Sequence, residues 1–344
     1  MRIAVLTNSF PPQAGGAASI ASVQADFLRE AGHEVRVWCP RVDWFARPAP
    51  LRLFYHLADL LPRTALLHEI IGWNPDVLLT HNLTGCGFGT STALQGRGYQ
   101  WIHFLHDVQL FEPSGRLTDT QRVTVWQRIW SFLRRRAFGN PNLILSPTRW
   151  LVEEHQRRGF FLSTPIEILP NPSPSAEFVP RMPQEPMQLL MVGSSEAKGF
   201  NFAKALLSQL PFEAHLDVVG PGIPRDTRIT FHGLLENHAV LDLMKRADAL
   251  LVPSTVAENQ PTVILEAASV GLPVVAANIG GIAETLHGNG LLCPEGDMSA
   301  WIDSLVHLRD AASYAERAAQ MYELARIHDP EAYRSVFVQL ISNL

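Results

Sequence analysis

Twice over, the chain alternates short apolar runs with segments of helical periodicity, and this alternation constrains its fold more than any other feature. In the first half the runs, rich in Val, Ile and Leu, fall at residues 3–7, 35–39, 77–80, 101–105 and 143–146. Strands separated by helical patterns make βαβ units and a parallel sheet. Between the first two runs, residues 19–31 place Ile20, Val23, Phe27, Leu28 and Ala31 on one helical face and stop at Gly32, a residue suited to the left-handed end of a helix. The second half repeats the plan with runs at 188–192, 215–219, 229–231, 249–252, 274–276 and 290–293. An α/β fold with two Rossmann-like, doubly wound parallel-sheet domains is expected.

A length of 344 residues, 47% apolar, is enough for two cores of ordinary size. Pro170, Pro172, Pro174, Pro180, Pro183 and Pro186 crowd the junction, a density that excludes helix and central strand. The expected division is a first domain over 1–169, a linker over 170–187, a second domain over 188–318 and a helical tail over 319–344, with a break at Asp329-Pro330. Cys39, Cys86 and Cys293 are far apart and form no CxxC or Cys/His cluster, so neither disulfides nor zinc are expected. Only five apolar residues follow Met1-Arg2, short of the roughly 7–15 of a secretory leader, so no export signal is expected. Residues 263–283 are nearly uncharged but broken by Glu266, Gly271, Pro273, Asn278 and Gly280-Gly281, which suits buried strand and helix rather than a membrane span.

Charge divides unevenly. Residues 1–170 hold 17 Arg, no Lys and 13 Asp/Glu, a net +4, whereas residues 171–344 carry a net −9. The first half thus suits an anionic acceptor or an anionic membrane surface; the net −5 of the whole chain argues against nucleic acid. The segment 126–138 sets Trp126, Ile129, Trp130, Leu133 and Phe138 among arginines. It reads first as a core-facing helix with snorkelling arginines, and second as a helix that docks on anionic lipid.

Ligands of open α/β sheets sit beyond the carboxyl ends of the strands, so the loops leaving the strands carry the chemistry. The first such loop ends in Gly15-Gly16 at a helix start, where backbone amides can approach a phosphate. It is not GxGxxG, which argues against a dinucleotide-dependent dehydrogenase. The second, residues 193–199, places Lys198 among Gly193 and Gly199, a point cation suited to a diphosphate. The third runs from Pro253 to Pro261, read as the first residue of a helix whose amides at Thr262 and Val263 would face an anion. Glu258 before this helix and Glu266 within it are carboxylates suited to accept hydrogen bonds from hydroxyls, and eight helical steps span about 12 Å. Glu266 lies among Val263, Ile264, Leu265, Ala267 and Ala268, where an unpaired carboxylate is costly, so it needs either a ligand or a structural ion pair.

These motifs, taken in order, resemble glycosyltransferase family 4, a large group of retaining GT-B enzymes. The match includes Ser9-Phe10-Pro11-Pro12 with Gly15-Gly16, Gly32-His33-Glu34-Val35, Pro75-Asp76-Val77 leading to His81-Asn82, and Leu105-His106-Asp107. It continues through Ser146-Pro147-Thr148, Val192-Gly193 with Lys198-Gly199, Val219-Gly220, Pro253-Ser254, Glu258 and Glu266, and Gly280-Gly281 with Glu284. The resemblance implies two domains facing across a cleft and transfer of a hexose-type sugar from a nucleotide-diphosphate donor, a UDP- or GDP-sugar, with retention of configuration. It also implies a glycan, lipid-linked or small-molecule acceptor, no metal or other cofactor, a cytoplasmic place that allows contact with the inner face of the membrane, and a last helix packed back on the first domain.

By the same resemblance Glu258, His106 and Lys198 are catalytic. Gly15, Gly16, Gly193, Lys198, Gly220, Glu258, Asn259, Gln260, Thr262, Val263 and Glu266 are the donor-binding residues. One departure stands out: the arginine usual after the glycine of the second loop is replaced by Ser194-Ser195, leaving Arg149, Arg225 or Arg228 to supply the charge. That departure motivates one alternative, a nucleotide-sugar-binding protein with weak or no turnover; a GT-B nucleotide-sugar epimerase is another, and the Glu258 and Glu266 pair favours the transferase over both. The acceptor is expected to meet the loops 43–63 and 109–120 of the first domain.

Overall fold

The computed structural model describes residues 1–11, 15–40, 48–118, 122–175, 178, 180–223 and 225–343. They form two compact units, residues 1–170 with 331–344, and residues 171–330. Parts of both expected acceptor loops, 43–47 and 119–120, lie outside the described residues.

The first unit is a parallel sheet of β1 (Arg2–Leu6), β2 (Glu34–Trp38), β3 (Val77–Thr80), β4 (Gln100–Phe104), β5 (Leu143–Ser146) and β6 (Ile166–Ile168), in the order β2-β1-β3-β4-β5-β6. Its helices are α1 (Gly16–Glu30), α2 (Ala49–Ala58), α3 (Thr64–Trp73), α4 (Phe88–Gln95), α5 (Val125–Phe138) and α6 (Arg149–Arg157). The end of α1 shows why Gly32 is there. Its φ is +83°, and with it in place Gly32 N donates to Arg29 O at 2.9 Å and His33 N to Leu28 O at 3.0 Å, the two reverse bonds that close a helix C-terminus. Thr124 and Gln127 cap the start of α5 reciprocally, each side chain bonding the other's backbone amide. β6 goes beyond the sequence expectation. Three residues after Pro165 show no periodicity, and only their pairing with Ile144–Ser146 makes them a strand.

The second unit carries β7 (Met187–Val192), a 3₁₀ turn at Glu196–Lys198, α7 (Phe200–Gln209), β8 (Ala214–Val219), β9 (Ile229–Phe231) and α8 (Asn237–Met244). There follow β10 (Ala249–Val252), α9 (Thr262–Ser269), β11 (Val274–Ala277), α10 (Ile282–Leu286), β12 (Leu291–Cys293), α11 (Met298–His307) and α12 (Ala311–Ile327). All pairings are parallel, in the order β12-β11-β10-β7-β8-β9. Every residue of β10 and β11 is buried, which is why those strands read as unbroken apolar runs. The proline-rich segment is fastened to this unit: Ser173 N donates to His328 O at 2.8 Å, and Arg181 donates to the carbonyls of Met244 and Ala247 at 2.7 and 2.9 Å.

α12 packs on α9, inside the second unit. The chain returns only after it: α13 (Pro330–Ser342) buries Tyr333, Phe337 and Ile341 in the core of the first unit beside Ile20, Leu28, Ile3 and Val5. Gln24 of α1 donates to the Tyr333 hydroxyl at 2.6 Å, satisfying a polar pair in that apolar setting.

Four histidines of the first unit are held neutral by burial. His106 is driven down to about 3 and His155 to about 4, while His81 and His103 are pushed well below the ordinary value, each chiefly because the ring is withdrawn from water. As pH falls below about 6.5 an unfolded histidine takes its proton while these do not, so their contribution is whole above pH 6.5 and is lost on descending toward 3–4. Asp59, Asp107, Asp248 and Glu266, raised by burial, act in the opposite sense; His33 and His328, also lowered by burial, bring the histidines to six against these four. The urea midpoint followed by tryptophan fluorescence is expected to be lower at pH 5 than at pH 7, and a midpoint that rises on acidification would contradict the neutral histidine cluster.

Candidate functional site

In the second sheet the winding reverses between the adjacent strands β7 and β10. Ligands of such sheets bind there. After β7, Gly193 (φ +99°) leads into Ser194-Ser195, the turn carrying Lys198, and Gly199 (φ +81°). The loop after β10 comes so near that a Cβ on Gly199 would stand 1.8 Å from Pro253 O. Thr255 completes the join, its amide donating to Ala197 O and its hydroxyl to Glu196 O, each at 3.0 Å. Gly193 serves a second contact, because a Cβ there would lie 2.8 Å from Cγ of Lys198, whose aliphatic stem crosses it.

The junction brings Lys198 and Glu258 together. Nζ of Lys198 lies 2.6 Å from Oε2 of Glu258, and the Ser254 hydroxyl donates to Oε1. The backbone of Glu258 is held as firmly: Gly281 N donates to its carbonyl at 2.7 Å, and a Cβ on Gly280 (φ +64°) would lie 2.3 Å from that oxygen. Ser254, Gly199, Gly280 and Gly281 thus shape the position of Glu258. Sequence reasoning met them as family matches without a role, and only the paired glycines after a strand could have signalled a close backbone approach.

The structure corrects the reading of Pro261, which caps α9 from outside, so the helix starts at Thr262 and Glu258 lies in the preceding loop. No side chain caps this start, which leaves the first amides, including those of Thr262 and Val263, directed out of the helix end. Glu266 follows one turn later and accepts a hydrogen bond from the Thr262 side chain. Burial raises its pKa to about 6, an effect the Thr262 bond only partly offsets. No ion pair reaches Glu266 among the described residues.

Gln260 has a partner inside the second unit. Its Oε1 accepts from Asn171 N at 2.6 Å, so that end of the side chain anchors the start of the second unit, while Asn259 remains in the loop beside Glu258. Gly220 (φ +147°) passes close to Ser194; a Cβ on it would lie 2.8 Å from Oγ. Ser195 accepts from Lys198 N at 3.3 Å, and so caps the turn that presents the lysine. Of the two serines standing where an arginine is usual, Ser195 is therefore structural. Arg228 offers no spare charge there, since its guanidinium bonds both oxygens of Asp226, at 2.9 and 3.2 Å, and Leu207 O.

In the first unit Gly15 (φ +138°) precedes α1, with no side-chain cap and nothing within 4 Å of where its Cβ would be, and Gly16 opens the helix. His106 follows β4, its Nε2 lying 2.8 Å from Nδ1 of His81. Beside it Asp107 accepts from Asn82 Nδ2 and Gln109 N, each at 2.8 Å. A small pocket at these strand ends is lined by Asn82, Thr84, His103, His106, Asp107 and Gln109, among others.

Two family models account for most of the chain: Glycosyltransferase Family 4 over residues 14–174, and Glycosyl transferases group 1 over residues 178–311. The chain belongs to this family of glycosyltransferases. An uncharacterised protein of the cps region of Klebsiella pneumoniae is 24% identical to the transferase over 323 residues, 82% of this chain and 86% of that protein. Sucrose-phosphate synthase from Thermosynechococcus elongatus superposes with a TM-score of 0.79 at 18% identity, covering 99% of this chain and 98% of the other. Anabaena HepE in complex with UDP and glucose gives 0.67 at 18% identity over the full length of both. The fold of the transferase is GT-B, two Rossmann-like doubly wound domains. No helix among its described residues is long and apolar enough to cross a membrane.

Gly199→Ala tests the loop junction, since it combines a left-handed backbone with a collision against Pro253 O. Such a change is expected to cost more than about 2 kcal/mol of stability, read by urea denaturation, whereas Gly288→Ala, whose Cβ would meet nothing within 4 Å, controls for the backbone strain alone.

Proposed function

We propose that the transferase moves a hexose from a nucleoside-diphosphate sugar to a glycan, lipid-linked or small-molecule acceptor, with retention of configuration and without a divalent metal. The Lys198–Glu258 pair at the carboxyl ends of β7 and β10, with Glu266 one turn into α9, carries this reading. The Lys198 side chain is 39% exposed but that of Glu258 only 14%, so the pair can part only for a ligand that satisfies both partners. A diphosphate is better matched to the ammonium than a carboxylate alone, and a sugar hydroxyl donates to the freed Glu258. Glu266, short of partners in a site that raises its pKa, suits the vicinal hydroxyls of a ribose, which offer it two donors.

The chemistry asked of the protein is modest. Bond cleavage places negative charge on the leaving diphosphate, and Lys198, once released from Glu258, meets this charge together with the uncapped amides of α9. Ser254 and the Gly280-Gly281 backbone hold Glu258 so that the sugar is oriented rather than merely attracted. His106, neutral at working pH and held by His81, can act as a hydrogen-bonding group but not as a charge. UDP is the first nucleotide to try, because Anabaena HepE, of the same fold, is held with UDP and glucose.

Thermal shift with UDP, GDP, ADP and their sugar conjugates is expected to single out one nucleotide. Glu258→Ala should reduce transfer at least a hundredfold while leaving the affinity for that bare nucleotide within about threefold, and Glu266→Ala should weaken the nucleotide itself by about 2 kcal/mol, the loss expected for charge-assisted bonds. Equal, negligible effects from both would refute the assignment. Because only the ionised Glu266 accepts from both hydroxyls, nucleotide affinity should fall as pH drops through about 6; in Glu266→Gln, titrated by calorimetry over the same range, that component should vanish and leave only the titration of the phosphate.

A further inference from the structure

The first unit presents an apolar face that none of its described elements covers. Of seventeen large apolar side chains exposed among the described residues, eight lie on α2, α5 and their ends: Leu51, Phe54, Leu57 and Leu61, and Val125, Trp126, Ile129 and Phe132. On α5 the last four fall on one side of the helix, 51–74% exposed, opposite the buried Gln127, Trp130, Arg134 and Phe138. The two helices are locked together beneath this face. The buried Arg134 guanidinium lies 3.9 Å over Phe88 and 4.8 Å over Trp130, reaches His56 Nδ1 of α2 at 3.5 Å, and His56 in turn packs edge-on against Trp130. The expectation that Trp126 and Ile129 point to the core does not hold.

Charge identifies what covers it. From residue 120 to 152 the chain has six arginines and no Asp or Glu. Arg122, Arg128 and Arg136 are exposed on or beside the apolar stripe, and Arg63 stands partly exposed at the end of α2. The one carboxylate of α2 and its end, Asp59, is turned inward to the amides of Gly85 and Gly87, each 2.8 Å away. A second copy docked isologously on this face would set arginines against arginines. An anionic bilayer supplies both complements, an acyl boundary for Phe54, Trp126, Ile129 and Phe132 and phosphates for the arginine rim. We infer that the α2–α5 face of the first unit docks the protein on the surface of an anionic lipid bilayer, inserting these side chains to the level of the headgroups without crossing.

The test is cosedimentation of the full chain with vesicles of phosphatidylcholine alone or mixed with phosphatidylglycerol, at low and at high salt. Wild type is expected to sediment with the anionic vesicles only, and less at high salt. Two independent variants, Phe54→Ser/Ile129→Ser/Phe132→Ser and Arg128→Glu/Arg136→Glu, should each lower the bound fraction at least tenfold while their melting temperatures stay within a few degrees of wild type, since all five side chains are exposed. Absence of sedimentation with anionic vesicles, or binding that both variants leave unchanged, would overturn the proposal. So would light scattering that shows a lipid-free dimer which either variant dissociates, because that assigns the face to a second copy. None of these readouts depends on sugar transfer, so the docking surface and the proposed reaction fail or stand separately.

Discussion

The approach of two loops at Gly199 governs the second unit. With only hydrogen on that Cα, the chain after β7 can press against Pro253 and deliver Lys198 to Glu258, two residues sixty positions apart, at 2.6 Å. The other contacts around Glu258 answer the same need from different sides: a serine hydroxyl on one carboxylate oxygen, an ammonium on the other, and a glycine pair from the loop after β11 on its backbone carbonyl. An acidic group fixed at three points loses little conformational freedom when a ligand binds, so more of each new hydrogen bond remains as affinity or orientation.

The uncharged approach surfaces explain why much of this site is glycine. Gly193 lets the lysine stem cross, Gly220 lets the loop after β8 reach Ser194, and Gly280 admits the Glu258 carbonyl. Each lies in a region of backbone conformation where side chains are rare, so close approach and chain direction are met by one residue type. The absent arginine after Gly193 is understandable in the same geometry. Ser195 is occupied with capping the turn, Gly220 passes close to Ser194, and the positive charge at this corner is concentrated in Lys198 and in helix amides.

The alternation of apolar runs made the two sheets legible to within a residue or two, because strands buried on both faces leave an unbroken imprint; Val77–Thr80 and Ala249–Val252 stand where periodicity puts them. β6 left no imprint, being three residues at an edge. Lys198, Glu258 and Glu266 were legible as chemistry because charged groups in apolar or glycine-rich loops demand a reason. Their support was not: that Ser254 reaches back to Glu258, that Gln260 turns away to Asn171, or that α12 stays with the second unit depends on distances that no local pattern encodes. The outward turn of Trp126 and Ile129 was hidden for a similar reason, since an apolar stripe looks alike in sequence whether it faces a core or a solvent boundary.

The return of α13 has a consequence for how the molecule comes into being. Tyr333, Phe337 and Ile341 belong to the same core as Ile3, Val5 and Ile20, yet all of residues 171–330 lie between them. During synthesis the first sheet must wait, with the groove beside α1 uncovered, until the whole second unit has left the ribosome. The second unit is continuous in sequence and meets no such delay. Emergence therefore runs opposite to completion: the part made first is sealed last, and a nascent chain stalled before residue 331 holds one finished unit and one with part of its core still wet.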